Sequence, residues 1–178
     1  MNQIEFWRTV GKGNLPEDYW NHIKRSEFLY EFIKDEIHKS NYILELGCNG
    51  GRNIKYLLDK GYWIQGIDCS PNAVRFAQEK GLPVWQSSIE DYLLEGKPEV
   101  LLCMAVLEHL PKESEWVFEK MTKARYIICI EDEITDSARH FPRKYKEIFE
   151  GLGMKEIKHQ TDNGGTFHAK FEARLFQN

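Results

Sequence analysis

The sequence predicts an α/β domain built on an open, mostly parallel sheet of seven strands, with helices on both faces and an antiparallel β-hairpin at the C-terminal end. Three observations carry this expectation. Short apolar runs alternate with amphipathic helical stripes between Asn21 and Leu152. The run Glu99 to Val106, EVLLCMAV, is almost continuously apolar, as suits a central parallel strand buried on both faces. Beyond Gly153 the pattern changes to two strand-like segments joined by a turn-rich link.

The chain reads as one domain, 1–178, with an aromatic leader and covering helix over 1–40 and the core over 41–178. In the leader, Phe6, Trp7, Tyr19 and Trp20 stand among Gly11, Gly13, Asn14 and Pro16 with no clear period, so the stretch reads as loop-rich. Aromatics this dense either pack on the domain or close over a ligand crevice as a lid. From Asn21 to Lys39, Ile23, Phe28, Leu29, Phe32, Ile33 and Ile37 form one apolar stripe, a helix covering the sheet. His22 and His38 lie off that stripe and read as surface residues.

Tyr42 to Asn53, YILELGCNGGRN, gives a first strand, a tight turn holding Gly47, Gly50 and Gly51, and a helix continued by Ile54, Leu57 and Leu58 as far as Gly61. Tyr62 to Asp68 is a second strand with an acid at its end. Ser70-Pro71 then offers a hydroxyl cap and a proline at the first helical position, for a helix running to Gly81. A short third strand, Pro83 to Gln86, leads into SSIEDYL, and the fourth, Glu99 to Val106, into LEHLP. A helix over Glu113 to Met121 and a buried strand over Tyr126 to Ile130 follow. The helix Arg143 to Leu152 presents Tyr145, Ile148, Phe149 and Leu152 as its apolar side. The hairpin is expected from Met154 to His159 and from Thr166 to Phe176, turning over residues 160–165. In its second strand Phe167, Ala169, Phe171, Ala173 and Leu175 alternate with polar residues.

Strand, glycine turn and helix bring backbone amides and a helix N-terminus close to a ligand, although a plain loop also uses glycine to turn sharply. The stronger signal is positional. Glu45, Gly47, Asp68, Ser88 and the Glu108-His109 pair all fall at strand C-termini, the edge where open parallel sheets bind ligands. Composition narrows the choice of ligand. At 178 residues, 42% apolar and 29% charged, with net charge −4, the chain offers no basic surface for nucleic acid or an anionic membrane. No apolar run approaches the roughly 18 residues of a membrane span, and the start lacks a signal-peptide core, so a cytoplasmic protein is expected. Cys48, Cys69, Cys103 and Cys129 form no C-x-x-C pair, which predicts reduced thiols and no metal.

At these residues the chain resembles the class I S-adenosylmethionine-dependent methyltransferases, from about Tyr42 to Phe176 and most strongly between Tyr42 and Pro111. ELGCNGGRN is similar to the family's first motif, an acid before a glycine turn that holds the methionine part of the cofactor. Asp68, 23 residues after Glu45, matches the acid that accepts hydrogen bonds from the ribose hydroxyls. SSIED at 87–91 is similar to the segment flanking adenine, and VLEHLP at 106–111 to the motif beside cofactor and substrate. The resemblance implies a Rossmann-like fold and S-adenosylmethionine as cofactor, with S-adenosylhomocysteine as product. It implies cofactor contacts from Glu45, Gly47, Cys48, Asn49, Gly51, Asn53, Asp68, Cys69, Ser88, Ile89 and Met104. For catalysis it implies His109 as a base that takes a hydroxyl proton, with Glu108 beside it. Both have structural alternatives: a strand cap or a residue that orients a loop. His140 in the loop after the fifth strand reads as a surface residue, and Arg52 and Asn53 as first-turn helix residues rather than catalytic groups.

The chain departs from the family pattern twice, with Asn49 where the motif has glycine and Ser88 where an aspartate is common. Asparagine tolerates positive φ, and a hydroxyl accepts a hydrogen bond, so neither departure alters the expected fold. The function expected is O- or N-methyl transfer to a small-molecule or glycan acceptor. LEHLP is unlike the N/D-P-P-Y/F motif of DNA amino-methyltransferases. A nicotinamide oxidoreductase would also use a strand, glycine turn and distant acid, but the turn does not match G-x-G-x-x-G. A methyltransferase fold serving as a non-catalytic partner subunit is the alternative that Asn49 and Ser88 keep open. Acceptor identity and oligomeric state are not written in these motifs.

Overall fold

The computed structural model describes residues 3–9, 15–93 and 98–178. Its elements run α1 (Gln3–Arg8), α2 (Pro16–Trp20), α3 (Ile23–Ile33), β1 (Tyr42–Leu46), α4 (Arg52–Asp59), β2 (Trp63–Asp68), α5 (Pro71–Glu79), β3 (Val84–Gln86) and α6 (Ile89–Leu93). They continue with β4 (Val100–Met104), α7 (Trp116–Met121), β5 (Tyr126–Glu131), α8 (Tyr145–Gly151), β6 (Lys155–Asn163) and β7 (Lys170–Gln177). One seven-stranded sheet has the order β3-β2-β1-β4-β5-β7-β6. β1 to β5 are parallel, and β7 runs antiparallel between β5 and β6. This is the open α/β fold with a C-terminal antiparallel pair that the sequence predicts.

Alternate residues of the central strands feed two cores, one on each face of the sheet. Ile43, Leu102 and Ile128 join Leu29, Phe32, Ile33, Ile54 and Leu57 under α3 and α4. Leu44, Leu101 and Ile127 join Val117, Phe118, Tyr145 and Phe149 under α7 and α8. The predicted caps form: the Ser70 hydroxyl accepts the Ala73 N–H at the start of α5, with Pro71 at the first position. All four cysteines are free thiols, and three are buried.

Several expectations are corrected by packing. The leader is helical on both sides of residues 10–14; the predicted Gly11, Gly13 and Asn14 lie outside the described residues. Ile23 and Leu152 belong to their apolar stripes yet stay exposed, since each sits at the end of its helix. The helix after Glu113 begins at Trp116, following a 3-10 turn over Lys112–Ser114. The hairpin turns later than expected, over residues 164–169. Thr161, Asp162 and Asn163 continue pairing with Glu172, Phe171 and Lys170. The Asp162 carboxylate then accepts the N–H groups of Gly164, Thr166 and Phe167, a local turn that the run Asp162-Asn163-Gly164-Gly165 can close.

The largest correction concerns the alternation in β7, which reads as a strand with one wet face. Because β7 lies inside the sheet, Glu172 and Arg174 on its polar face are 8% and 9% exposed. Arg174 donates to Glu133 from Nε at 2.7 Å and to Glu156 from Nη1 at 2.6 Å. Burial is tolerated because the guanidinium's donors meet two carboxylates. Replacing Arg174 with Met leaves Glu133 buried without its close partner and should cost about 3 kcal/mol in urea unfolding. A loss below about 1 kcal/mol would place the trio in effectively aqueous surroundings.

Candidate functional site

The carboxyl ends of β1, β2, β3 and β4 open into a cleft of about 390 Å³, covered from the leader side by Trp7, Tyr19 and Trp20. The turn after β1 shapes its floor. Gly47 sits at φ +64, and a Cβ there would lie 2.3 Å from Val106 Cγ2, so only glycine fits both the conformation and the space. Asn49 adopts φ 49, the left-handed region that asparagine enters more readily than other side chains. Its Oδ1 also accepts the N–H of Gly50 at 2.6 Å, which closes the turn locally.

Glu45 lies beneath this turn and is 3% exposed. Its Oε1 accepts the Asn53 amide at 2.6 Å, while Oε2 is buried with no partner among the described residues. Burial pushes its carboxyl up to about 7, against the pull of Asn53 and of the Arg52 guanidinium. Arg52 in turn bonds Ser26 Oγ (3.0 Å), the Tyr19 carbonyl (3.1 Å) and Asn53 Oδ1 (3.1 Å), so one side chain joins α2, α3 and α4 at the cleft floor. Desolvation lowers its pKa to about 10.

Asp68 closes the next corner. Its Oδ2 accepts the Asn49 N–H and its Oδ1 the Ser70 N–H, each at 2.8 Å. Burial raises its pKa, and those two backbone bonds oppose the rise. Each oxygen keeps a second lone pair for a ligand hydroxyl. Cys69 is partly exposed beside it, its thiol pushed up to about 12 by burial. Ser88 lines the same wall, but its hydroxyl caps α6: it donates to Asp91 Oδ2 at 2.8 Å and accepts the Asp91 N–H at 3.1 Å. Ile89 presents an apolar side chain next to it, and Met104 packs against Arg52 and Asn53 from the end of β4.

At the far end, β4 stops at Met104, and the chain turns through Ala105 at φ 54 into a 3-10 turn over Leu107–His109. Glu131, fully buried at the end of β5, accepts the N–H groups of Val106 (3.0 Å) and Glu108 (3.3 Å) and so holds this turn in place. Burial, then the nearby Glu108 carboxylate, drives its pKa well above the usual range. Glu108 is 4% exposed, and its Oε2 accepts the Asp132 N–H at 2.7 Å. Desolvation raises it to about 7. His109 donates from Nδ1 to the Arg139 carbonyl at 2.8 Å, which leaves Nε2 as the acceptor. Burial lowers its pKa to about 4, so the ring is neutral at physiological pH.

The cleft brings together every residue expected at the cofactor and catalytic positions except Gly51. A Cβ on Gly51 would face Leu82, Ala77 and Val84 in the core; Gly50 lines the cleft in its place. Arg52 is the first-turn helix residue that the sequence indicates, but sequence reasoning missed its place in the cleft and those of Arg25 and His140. Arg52 reads as a first-turn helix residue, His140 as surface, and Arg25 as the wet side of a covering helix. No local pattern signals that α3 and the 137–141 segment lean over the strand ends.

Residues 43–124 match the sequence profile of a family described as a methyltransferase domain. The chain is 26% identical over 111 residues to the mitochondrial ubiquinone biosynthesis O-methyltransferase of Schizosaccharomyces pombe, covering 57% of this chain and 40% of that one. It is 26% identical over 102 residues to trans-aconitate 2-methyltransferase of Mycobacterium tuberculosis, covering 53% and 39%. The chain thus spans about two fifths of the length of these curated relatives. Its fold matches magnesium protoporphyrin IX methyltransferase from Synechocystis, crystallised with S-adenosylhomocysteine, at TM-score 0.75 and 16% identity over 99% of this chain and 93% of that one.

The raised pKa of Glu45 has a sign that can be tested. The unfolded carboxyl titrates near 4.3, so folding favours the protonated form. That contribution is full below about pH 4 and is lost as pH rises through about 7. Glu45→Gln should therefore match the wild type near pH 4 but exceed its unfolding stability at pH 8 by about 3 kcal/mol. Equal pH slopes in urea unfolding of the two proteins would remove Glu45 as the group responsible.

Proposed function

We propose that this chain, a class I S-adenosylmethionine-dependent methyltransferase by fold and matched domain, methylates a small oxygen acceptor that carries a carboxylate. The observation that carries the reading is one cleft in which Glu45, Asp68 and the 47–50 turn converge at one end and Glu108, His109 and Arg25 at the other. The unpartnered Glu45 Oε2 and the turn's backbone suit a zwitterionic amino acid headgroup, whose ammonium would replace the missing partner. Asp68 has lone pairs left for a ribose diol, and Ile89 with Cys69 offers an apolar slot for a base.

S-adenosylmethionine, when bound, supplies an electrophilic methyl group on a sulfonium. The protein's part is to align the acceptor, exclude water and leave the attacking atom unprotonated. Trp7, Tyr19 and Trp20 cover the cleft, which suits the lid reading of the leader. Arg25 lines the same cleft and its Nε is buried with no partner among the described residues. Trp7 Nε1 is likewise unpartnered. Two N–H donors waiting near Glu108 and His109 favour an acceptor with carboxylate oxygens over a neutral glycan. Neutral His109, its Nε2 an acceptor, is suited to receive or direct a proton from an acceptor hydroxyl.

Calorimetric titration with S-adenosylmethionine, S-adenosylhomocysteine and NAD tests the cofactor. The expected result is micromolar binding of the first two and none of NAD; silence from the first two would favour the partner-subunit reading. Asp68→Ala should weaken S-adenosylmethionine binding by about 1.5–3 kcal/mol, the range for hydrogen bonds to a charged group. Unchanged affinity in that variant would mean that the ribose is held elsewhere.

A further inference from the structure

We propose that Glu108, His109 and His140 form a divalent metal site at the acceptor end of the cleft, suited to a first-row transition ion such as Zn2+ and open to the acceptor's oxygen atoms. One carboxylate oxygen and two imidazole nitrogens, each from a different side chain, lie within 4.8 Å of one another. Glu108 Oε1 stands 3.7 Å from His109 Nε2 and 3.8 Å from His140 Nε2. Bonds of roughly 2.0–2.2 Å to one ion would put such atoms roughly 3–3.5 Å apart. The two separations from Glu108 Oε1 exceed that range by a few tenths of an ångström.

The surroundings orient each group. His109 gives its Nδ1–H to the Arg139 carbonyl, and His140 Nδ1 is bonded to Ser137 Oγ at 2.8 Å, so both Nε2 atoms turn inward toward Glu108. The second oxygen of Glu108 is held by the Asp132 N–H, which leaves Oε1 for the shared point. Outer partners on the distal ring nitrogens and on the second carboxylate oxygen are what metal ligands characteristically carry. The backbone binds the segment together as well: Phe141 N–H donates to the Glu108 carbonyl at 2.7 Å, fixing the His140 loop to the ligand turn. Sequence distance hides this site, since His140 lies 31 positions beyond His109 and meets it only through that loop.

The donor set names the ion class. Two imidazoles with one carboxylate suit Zn2+, Co2+, Mn2+ or Fe2+ in preference to Mg2+ or Ca2+, and three protein ligands leave positions for exogenous oxygens. All three residues line the cleft, and His140 is 34% exposed at its side chain, so ion and acceptor have access. This deepens the methyltransferase reading and rests on it for the acceptor. With His109 Nε2 on the ion, activation of the acceptor passes from that nitrogen to the metal: a hydroxyl beside a carboxylate or second hydroxyl would chelate the ion, which lowers the hydroxyl pKa so that its proton leaves to solvent. Metal binding itself does not depend on that reading.

The test uses the full chain, stripped with a chelator, and titrated without cofactor or acceptor. Zn2+ is followed by calorimetry, Co2+ by its visible absorption, and Mg2+ serves as the contrast. One Zn2+ per chain should bind at micromolar or better affinity, Co2+ should show weak visible bands of nitrogen and oxygen ligation, and Mg2+ should bind at least 100-fold more weakly. His140→Ala and Glu108→Gln should each weaken Zn2+ at least 10-fold. Should Glu108→Gln fail to fold, the less buried His140→Ala carries the result alone. The proposal is overturned by no stoichiometric Zn2+ binding, by affinity unchanged in His140→Ala, or by intense thiolate charge-transfer bands, which would place the ion on a cysteine. S-adenosylmethionine affinity, measured separately on the same protein, reports the methyltransferase reading: its loss with metal binding intact refutes that reading and spares the metal site.

Discussion

Carboxylates buried at the carboxyl edge of the parallel strands set the terms for the rest of the structure. Glu45 is the penultimate residue of β1; Asp68, which is partly exposed, and Glu131 end β2 and β5; and Glu108 follows β4 by one turn. An ionised carboxylate out of water is costly unless donors surround it. The fold supplies those donors mainly from the backbone of the turns that leave the strands: Asn49 and Ser70 for Asp68, Val106 and Glu108 for Glu131, Asp132 for Glu108. Each carboxylate thereby fixes the turn that shields it.

Compensation is incomplete, and the shortfall marks function. Among the described residues, Glu45 keeps one buried oxygen without a partner, and Arg25 and Trp7 keep unpartnered N–H groups. Two buried arginines outside the cleft are satisfied closely. Arg174 bonds two carboxylates inside the sheet, and Arg143 fills its donors with Glu115 and the carbonyls of Leu107, Phe141 and Leu110. Among the described residues, three of the five buried side-chain atoms without a partner lie in this cleft, the other two being the hydroxyls of Tyr62 and Tyr145; such a grouping is what a binding site presents before its ligands arrive.

Coverage of the cleft depends on cations as well. Arg52 ties the Tyr19 carbonyl to the α3–α4 junction, and Lys80 lies over the rings of Trp20 and Phe76. Trp7 rests against His109 with ring centroids 4.5 Å apart, so α1 touches the Glu108–His109 end of the cleft directly. The leader helices therefore report on both ends of the site.

The sequence by itself determined the strand and helix order, the glycine turn and the placement of Glu45, Asp68 and Glu108 at strand ends. These follow from local periodicity and turn chemistry, which short stretches such as YILELGCNGG and EVLLCMAV contain in full. Tertiary structure decided what no short stretch holds. It put β7 inside the sheet, which turned a strand with an expected wet face into a buried one and its Arg174 into the centre of an ion trio. It aimed Gly51 at the core and Gly50 at the cleft, a difference of one residue's rotation in a turn. It also carried Arg25, Arg52 and His140 to the site from three separate segments. Local pattern encodes which way a chain runs and which face is apolar; the meeting of distant side chains depends on how those faces finally pack.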